Sequence, residues 1–384
     1  MHPKRFTFLM ENFLGHVPFA QNLQKAFANQ KLAEIEWCLL DFDPTNPIAK
    51  IPQIRDNWTL RGSYKAQRSI NRQRKQGRPA DLYFFHTQSI ALTAGLARKH
   101  APVVISLDAT PLNYDRVGVA YGHRSKNKYV EKVKLGLNRH VFHSATFLIT
   151  WSEWARQSLI EDYSIAANKV EVVPPGTDLA FWKGAMNNSK PSEEDGKIRL
   201  LFVGGDFERK GGRLLYDVFR RNFADKCELH LITKGQVEES PGVFVHRNIN
   251  PNSPEIQALF GATDIFILPT EGDCLPVAIT EAMASGLPVI STRMGAIEEA
   301  VLPGFNGYLI EPGDSERLVQ ALDRLVSDKA LRQEMGQRGR ERAEKYFDGA
   351  KNAGRILEIC IALAERRNVK TITPEAEKTE ITTV

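Results

Sequence analysis

Asp273 and Glu281 are two acids eight residues apart inside residues 264–299, DIFILPTEGDCLPVAITEAMASGLPVISTRMGAIEE. A carboxylate accepts two or more O–H bonds, so two of them facing one cleft would suit a ligand rich in hydroxyl groups. An ordinary helix cap at Asp273 and a solvated Glu281 fit the same spacing. Upstream, residues 204–212 read GGDFERKGG and bring two adjacent cations, Arg209 and Lys210, into a glycine-rich turn. Glycines let backbone amides approach a phosphate, a following helix N-terminus adds partial positive charge, and Lys210 adds a full one. The spacing is neither GxxxxGK[ST] nor GxGxxG. It reads as a diphosphate cradle or as a glycine-rich surface turn. In the first half, His86 and Asp108 each close an apolar run. Both are candidates for the ligand edge of a sheet, and both are equally explained as a turn histidine and a local cap.

These residues need strands and helices to hold them. Residues 265–268 read as a buried strand, 278–285 as a helix stopped by Gly286 and Pro288, and 289–291 as the next strand. That is a βαβ unit, whose loop lies at the carboxyl end of a parallel strand. The same alternation runs through the chain. Strands are expected at 6–10, 35–40, 81–85, 103–107, 146–150 and 170–173, then again at 198–203, 229–233 and 243–245. Helices are expected at 17–29, 60–77, 89–99, 152–162, 213–222, 315–327, 330–346 and 350–366. Helix 60–77 is strongly cationic and is expected to bury little, as a surface or membrane-interface helix. Residues 41–56 read as an irregular loop and 183–197 as a linker. The fold class is therefore α/β, with two doubly wound parallel sheets.

A length of 384 residues favours two domains, and 42% hydrophobic with 25% charged residues is ordinary for a globular protein. The net charge of +5 is unevenly spread. Residues 55–78 hold eight Lys/Arg and one acid, and residues 116–139 hold seven and one. Such blocks attract phosphate-rich partners such as anionic lipid, nucleic acid or nucleotides, or simply form a solvated basic face. Four scattered cysteines without CxxC spacing argue against a zinc site and a disulfide framework, and fit a cytoplasmic setting. The first residues do not have the pattern of a signal peptide, and no stretch of 18 apolar residues occurs.

Three motifs, in order and spacing, resemble those of the family-4 retaining glycosyltransferases: VEVVPPGTD at 170–178, FVGGDFERKGG at 202–212, and DCLPVAITEAMASGLPVIS at 273–291 followed by GAIEEAV. The resemblance covers nearly the whole chain and is strongest over residues 149–313. It implies the GT-B architecture, two Rossmann-like domains facing across a deep cleft. The expected division is an acceptor domain at 1–185, a nucleotide-sugar domain at 186–350, a helix at 351–366 returning to the first domain, and a disordered tail at 367–384. The resemblance assigns Glu281 to ribose hydroxyls and Asp273 to the donor sugar, where a Glu is usual. Lys210 would neutralise the diphosphate. Gly205 stands where an Arg is usual, and Arg209 is a candidate for that second charge. Gly204, Gly205, Cys274, Leu275, Pro276, Val277, Gly295 and Glu299 complete the expected donor site in the second half, Pro276 replacing a common Gly. Gly15 matches a glycine loop of the first domain. Asp108 replaces a frequent His and is a candidate catalytic group. His16 and His86 are acceptor-side candidates.

The implied reaction moves a sugar from a nucleotide-sugar, UDP- in preference to GDP-, to an acceptor hydroxyl with retention. No metal, cofactor or nucleic-acid partner is expected. The basic blocks favour an acceptor held at an anionic membrane, with a soluble acceptor as the rival. A sugar-nucleotide epimerase and a catalytically silent nucleotide-sugar binder are the other readings.

Overall fold

A computed structural model describes residues 3–12, 16–41, 57–117, 127–186, 196–238, 240–367 and 369. Gly15 lies outside these residues, as do most of the expected loop at 41–56, most of the linker at 183–197 and nearly all of the tail. The first half runs β1 (Lys4–Glu11), α1 (His16–Phe27), β2 (Ala33–Leu40), α2 (Trp58–Lys75), β3 (Leu82–His86), α3 (Ala94–Arg98), β4 (Val103–Leu107), α4 (Pro111–Val117), α5 (Lys128–Ser144), β5 (Phe147–Thr150), α6 (Glu153–Glu161) and β6 (Val170–Val172). After α7 (Leu179–Met186) come β7 (Ile198–Val203), α8 (Gly212–Asn222), β8 (Cys227–Ile232), β9 (Val243–His246), α9 (Pro254–Gly261), β10 (Ile265–Leu268), α10 (Val277–Ala284), β11 (Val289–Thr292), α11 (Ile297–Ala300) and β12 (Gly307–Ile310). Helices α12 (Ser315–Ser327), α13 (Lys329–Tyr346) and α14 (Gly349–Ala364) follow.

The described strands pair in parallel as two six-stranded sheets. Their order is β2-β1-β3-β4-β5-β6 in the first and β12-β11-β10-β7-β8-β9 in the second. Each order reverses once, between β1 and β3 and between β7 and β10, and those switch points are where doubly wound sheets bind ligands. The strands are apolar on both faces because helices cover both. In the first sheet Phe6, Phe8, Leu82 and Phe84 face α1 and α14, whereas Leu9, Tyr83 and Phe85 face α2, α3 and α5. Each fully buried Phe of this set contributes about 1.5–3 kcal/mol.

Helix α2 departs from its expected exposure. Gly62, Ala66 and Ile70, four residues apart, form a buried stripe on the sheet, together with Arg61 and Gln73. The stripe is narrow and set among many cations, which hold the helix's mean hydropathy low. Gly62 is required there, since a Cβ would lie 2.6 Å from Ile90 Cγ2. The helix expected at 89–99 is interrupted: a 3₁₀ turn at Gln88–Ile90 precedes the short α3. Ser63 Oγ takes the Leu92 amide at 3.1 Å, which directs that backbone bond out of a helix.

Helix α7 packs with the second half of the chain. Trp182 is fully buried in the second core, its ring 4.7 Å from that of Phe260, so α7 belongs to the second domain. The chain crosses at residues 174–178 and returns at 347–349. The two crossings pair, Thr177 N donating to Phe347 O at 2.8 Å and Gly349 N to Thr177 O at 2.9 Å. Helix α14 then lies on the first sheet, where Arg355 makes a two-bond fork to Glu171 at 2.6 and 2.9 Å.

Candidate active site

The second switch point brings the cationic turn and the acidic loop together. The turn after β7 is shaped by Gly211, whose φ of +76° suits glycine and whose missing Cβ makes room for the Pro269 carbonyl. The loop after β10 docks on it, Glu271 N donating to Arg209 O at 2.9 Å. Lys210 Nζ consequently lies 2.7 Å from Asp273 Oδ2 and 2.9 Å from Oδ1. Arg209 Nη1 stands 3.6 Å from the same carboxylate and also donates to the Gly272 carbonyl. Thr270 Oγ1 donates to Asp273 Oδ2 at 2.8 Å. Three of the four candidate catalytic residues thus form one cluster, mostly withdrawn from solvent.

Gly295 supports this loop from below. Its φ is +56°, and a Cβ there would sit 2.8 Å from the carbonyl oxygens of Asp273 and Cys274. Gly204 is buried against Phe202 and Lys210, whereas a Cβ on Gly205 would meet nothing within 4 Å. The space beside the cations is therefore open where the resemblance would place an Arg. Pro276 begins α10 without a side-chain cap, and Val277 is its first residue. Leu275 turns its side chain into the second core, so only its backbone is free to face a ligand. Glu281, in the middle of α10, is 6% exposed, and burial pushes its pKa up to about 7. No described group donates a hydrogen bond to its carboxylate, which leaves a buried acid short of O–H or N–H partners.

Glu299 is bonded across the cleft. Its two oxygens accept the backbone N–H groups of Glu153 and Trp154, each at 2.8 Å. It therefore caps α6 of the opposite domain, because the positive end of that helix is the nearest partner for a carboxylate that burial penalises.

Across the cleft, the first switch point collects groups from the ends of β1, β3 and β4. Asp108 Oδ2 accepts from Tyr114 Oη at 2.7 Å. Tyr114 also reaches the Cys274 thiol, which burial and then the Asp108 and Asp273 carboxylates push well above its ordinary pKa. Asp108 is thus placed against the acidic loop. His16 Nδ1 lies 3.0 Å from His86 Nε2, and His16 Nε2 lies 3.6 Å from Glu11 Oε2. His86 is fully buried, stacked on Trp151 at 5.4 Å, and burial followed by His16 holds its pKa well below the usual value. It cannot touch an acceptor itself; it backs His16, which keeps the cleft-facing position. Sequence reasoning missed Glu11. It is buried, accepts from Trp58 Nε1 at 2.7 Å, and has its pKa raised by burial. The available signal was its position at the end of the first strand, the same kind of position as Asp108.

Comparison with known proteins agrees with this arrangement. The model of a family described as glycosyl transferases group 1 matches residues 186–342, and that of Glycosyltransferase Family 4 matches residues 19–181. An MMP alpha-(1->4)-mannosyltransferase of Mycolicibacterium hassiacum is 27% identical over 58% of this chain and 56% of its own. The sulfoquinovosyl transferase SQD2 of Arabidopsis thaliana is 38% identical over 54% of this chain and 43% of its own. The matches thus span about half the length of these curated relatives. Among solved structures, a sucrose-phosphate synthase from Thermosynechococcus elongatus superposes with a TM-score of 0.72 at 17% identity, over 94% of this chain and 100% of that one. Anabaena HepE in complex with UDP-glucose superposes with a TM-score of 0.66 at 16% identity, again over 94% and 100%. At these identities the superpositions speak to the fold, two Rossmann-like domains of GT-B type. With both halves matched in order, the chain belongs to family 4 of the GT-B glycosyltransferases.

Proposed function

We infer that this chain transfers a sugar from a nucleotide-diphosphate sugar to an acceptor hydroxyl, with retention at the anomeric carbon. The observation that carries the reading is the convergence of Arg209, Lys210 and Asp273 at the switch point of the second sheet. The turn offers two positive charges and backbone amides to a diphosphate, and the acid beside them offers acceptor oxygens to sugar hydroxyls. Glu281 supplies the ribose site, since ribose hydroxyls would give its carboxylate the donors it lacks. A uridine nucleotide is the favoured donor, supported by the UDP-glucose bound to Anabaena HepE.

Departure of the nucleoside diphosphate builds negative charge on the β-phosphate. Lys210 and Arg209 would stabilise that charge, which is the task a divalent metal performs elsewhere. The leaving oxygen can accept the acceptor's proton on the same face. Asp108, held by Tyr114 at the cleft, would orient the acceptor hydroxyl, with His16 beside it. Closure of the two domains would exclude water and so limit hydrolysis of the donor.

The test is incubation of the full-length protein with a panel of UDP- and GDP-sugars, followed by NMR of the released or transferred sugar. Release of nucleoside diphosphate with an anomeric configuration matching the donor is the expected result. Binding of a nucleotide-sugar without any turnover would identify a silent binder, and an altered sugar still attached to the nucleotide would identify an epimerase.

A further inference from the structure

Helix α5 is poorly covered for its length. Of its 17 residues only Val141 and Phe142 are buried. Its exposed side chains are not the expected polar ones. Tyr129, Val130, Val133 and Leu137 are all open to solvent, Tyr129 to 83% and Val133 to 62%. At 100° per residue the four span one arc of roughly 100° on the side away from the core. Helix α2, on the same face of the first sheet, adds Leu60 and Tyr64, one turn apart. Six of the twelve exposed large hydrophobic side chains of the described residues therefore sit on these two helices, which is too concentrated for scattered surface residues.

The charge on the same helices is one-sided. Helix α2 carries six Lys/Arg and no acid; α5 carries Lys128, Lys132, Lys134 and Arg139 against a single acid, Glu131. Glu131 is already paired, at 2.9 Å, with Lys134. An apolar arc bordered by lysines and arginines is complementary to one kind of surface, a bilayer with anionic headgroups. A protein partner of ordinary composition would leave most of these cations unmatched.

We propose that α5, assisted by α2, docks this protein on an anionic membrane, so that the acceptor is a membrane-held amphiphile with a hydroxyl-bearing head. A cavity of about 200 Å³ lies behind α5, on the face turned away from the arc. It is lined by Glu131, Lys134, Leu135 and Asn138 of α5 and, on the inner side, by Tyr114. Tyr114 is the residue bonded to Asp108 at the cleft. A polar head passing around α5 from the membrane side would enter this cavity, whose wall includes the residue bonded to Asp108. The acceptor part of this inference rests on the transferase reading; the docking part does not.

Flotation of the full-length protein on vesicles of phosphatidylcholine, with and without phosphatidylglycerol, tests it. The protein should float with the anionic vesicles only and should be released as salt rises from 0.1 to 0.5 M, because short Debye lengths screen the attraction. The double variant Val133→Asp, Leu137→Asp should lower vesicle partitioning by about tenfold or more, as should Lys128→Glu with Lys132→Glu. All four residues are exposed, so melting temperature and UDP binding should be unchanged in these variants. Retained UDP binding with lost flotation separates this inference from the donor-site reading. Absence of flotation on anionic vesicles, or flotation indifferent to the aspartates, overturns it. A doubled mass in light scattering that the aspartates abolish also overturns it, and assigns the face to a second copy of the chain.

Discussion

Asp273→Asn should strengthen the binding of UDP while weakening catalysis. In the free protein the diphosphate's main cation is already occupied, since Lys210 Nζ lies 2.7 Å from Asp273 Oδ2. Unit charges at that distance attract by about 6 kcal/mol at an effective dielectric of 20. Desolvation and side-chain ordering cancel most of this, leaving about 1–2 kcal/mol net for a partly buried pair. A nucleoside diphosphate lacks a sugar to bond with Asp273, so it must draw Lys210 away from that acid with no return. Removing the carboxylate's charge should therefore tighten UDP binding roughly 5- to 30-fold. With a nucleotide-sugar the acid also serves the sugar hydroxyls, and losing a charge-assisted bond there should lower turnover by roughly 10- to 100-fold. Lys210→Ala should weaken UDP in either background and cost about 10²- to 10³-fold in turnover. Titration calorimetry with UDP and single-turnover kinetics with the active nucleotide-sugar measure the four corners of this cycle. If Asp273→Asn binds UDP no better than the wild type, at an unchanged melting temperature, Asp273 is not competing for Lys210 and the proposed geometry of donor binding is wrong.

Three further outcomes follow from the same site. Glu281 has a folded pKa of about 7 against 4.5 when unfolded, so the native state holds the extra proton between those values. Stability of the free protein should fall as pH rises from 4.5 to 7, by up to about 3 kcal/mol, and level off above. Glu281→Gln should remove that slope, so calorimetric melting at pH 5 and pH 7.5 should find the variant favoured only at the higher pH; an equal difference at both would deny the buried acid. Gly295→Ala should lower turnover by about 10²-fold, because its Cβ would lie 2.8 Å from two carbonyl oxygens of the acidic loop and a misplaced catalytic group costs that much. Gly205→Ala should be silent, with nothing within 4 Å, and Gly205→Arg should tighten UDP binding; the opposite ranking in a kinetic comparison would reject the assignment of open space beside the diphosphate.

The second half of the site was legible because its parts are contiguous. Residues 204–212 and 273–281 each run from one strand end through a loop into the next helix, so residue type and spacing survive the step from sequence to space. The first half is assembled from distant strand ends. His16 and His86 are 70 residues apart and meet only because β1 and β3 are neighbours. Glu11 had only its position at a strand end to mark it, since its partners Trp58 and His16 come from two different helices. Helix α2 was misjudged for a different reason: the stripe of Gly62, Ala66 and Ile70 is narrow and small, and the cations dominate any average over the helix. Helix α7 packs on the second core through several side chains, with Trp182 and Ala185 buried. Trp182 follows the crossing, and the second core takes it up.

Glu299 shows most directly why site residues cannot be read one domain at a time. Its position in the chain is within the nucleotide domain, yet both oxygens cap a helix of the other domain, where two charge-assisted bonds contribute about 1.5–3 kcal/mol each. Where two arrangements of a pair of domains differ by a few kcal/mol, contacts of that size decide between them. A second link runs through the hinge itself. Thr177, in the paired crossings, has its hydroxyl 2.8 Å from that of Thr280, the residue before Glu281. The helix that would hold the ribose is thereby bonded to the segment by which the chain crosses between the domains. A nucleotide that satisfied Glu281 and shifted α10 would act on that bond directly, which would couple donor occupancy to the crossing between the domains.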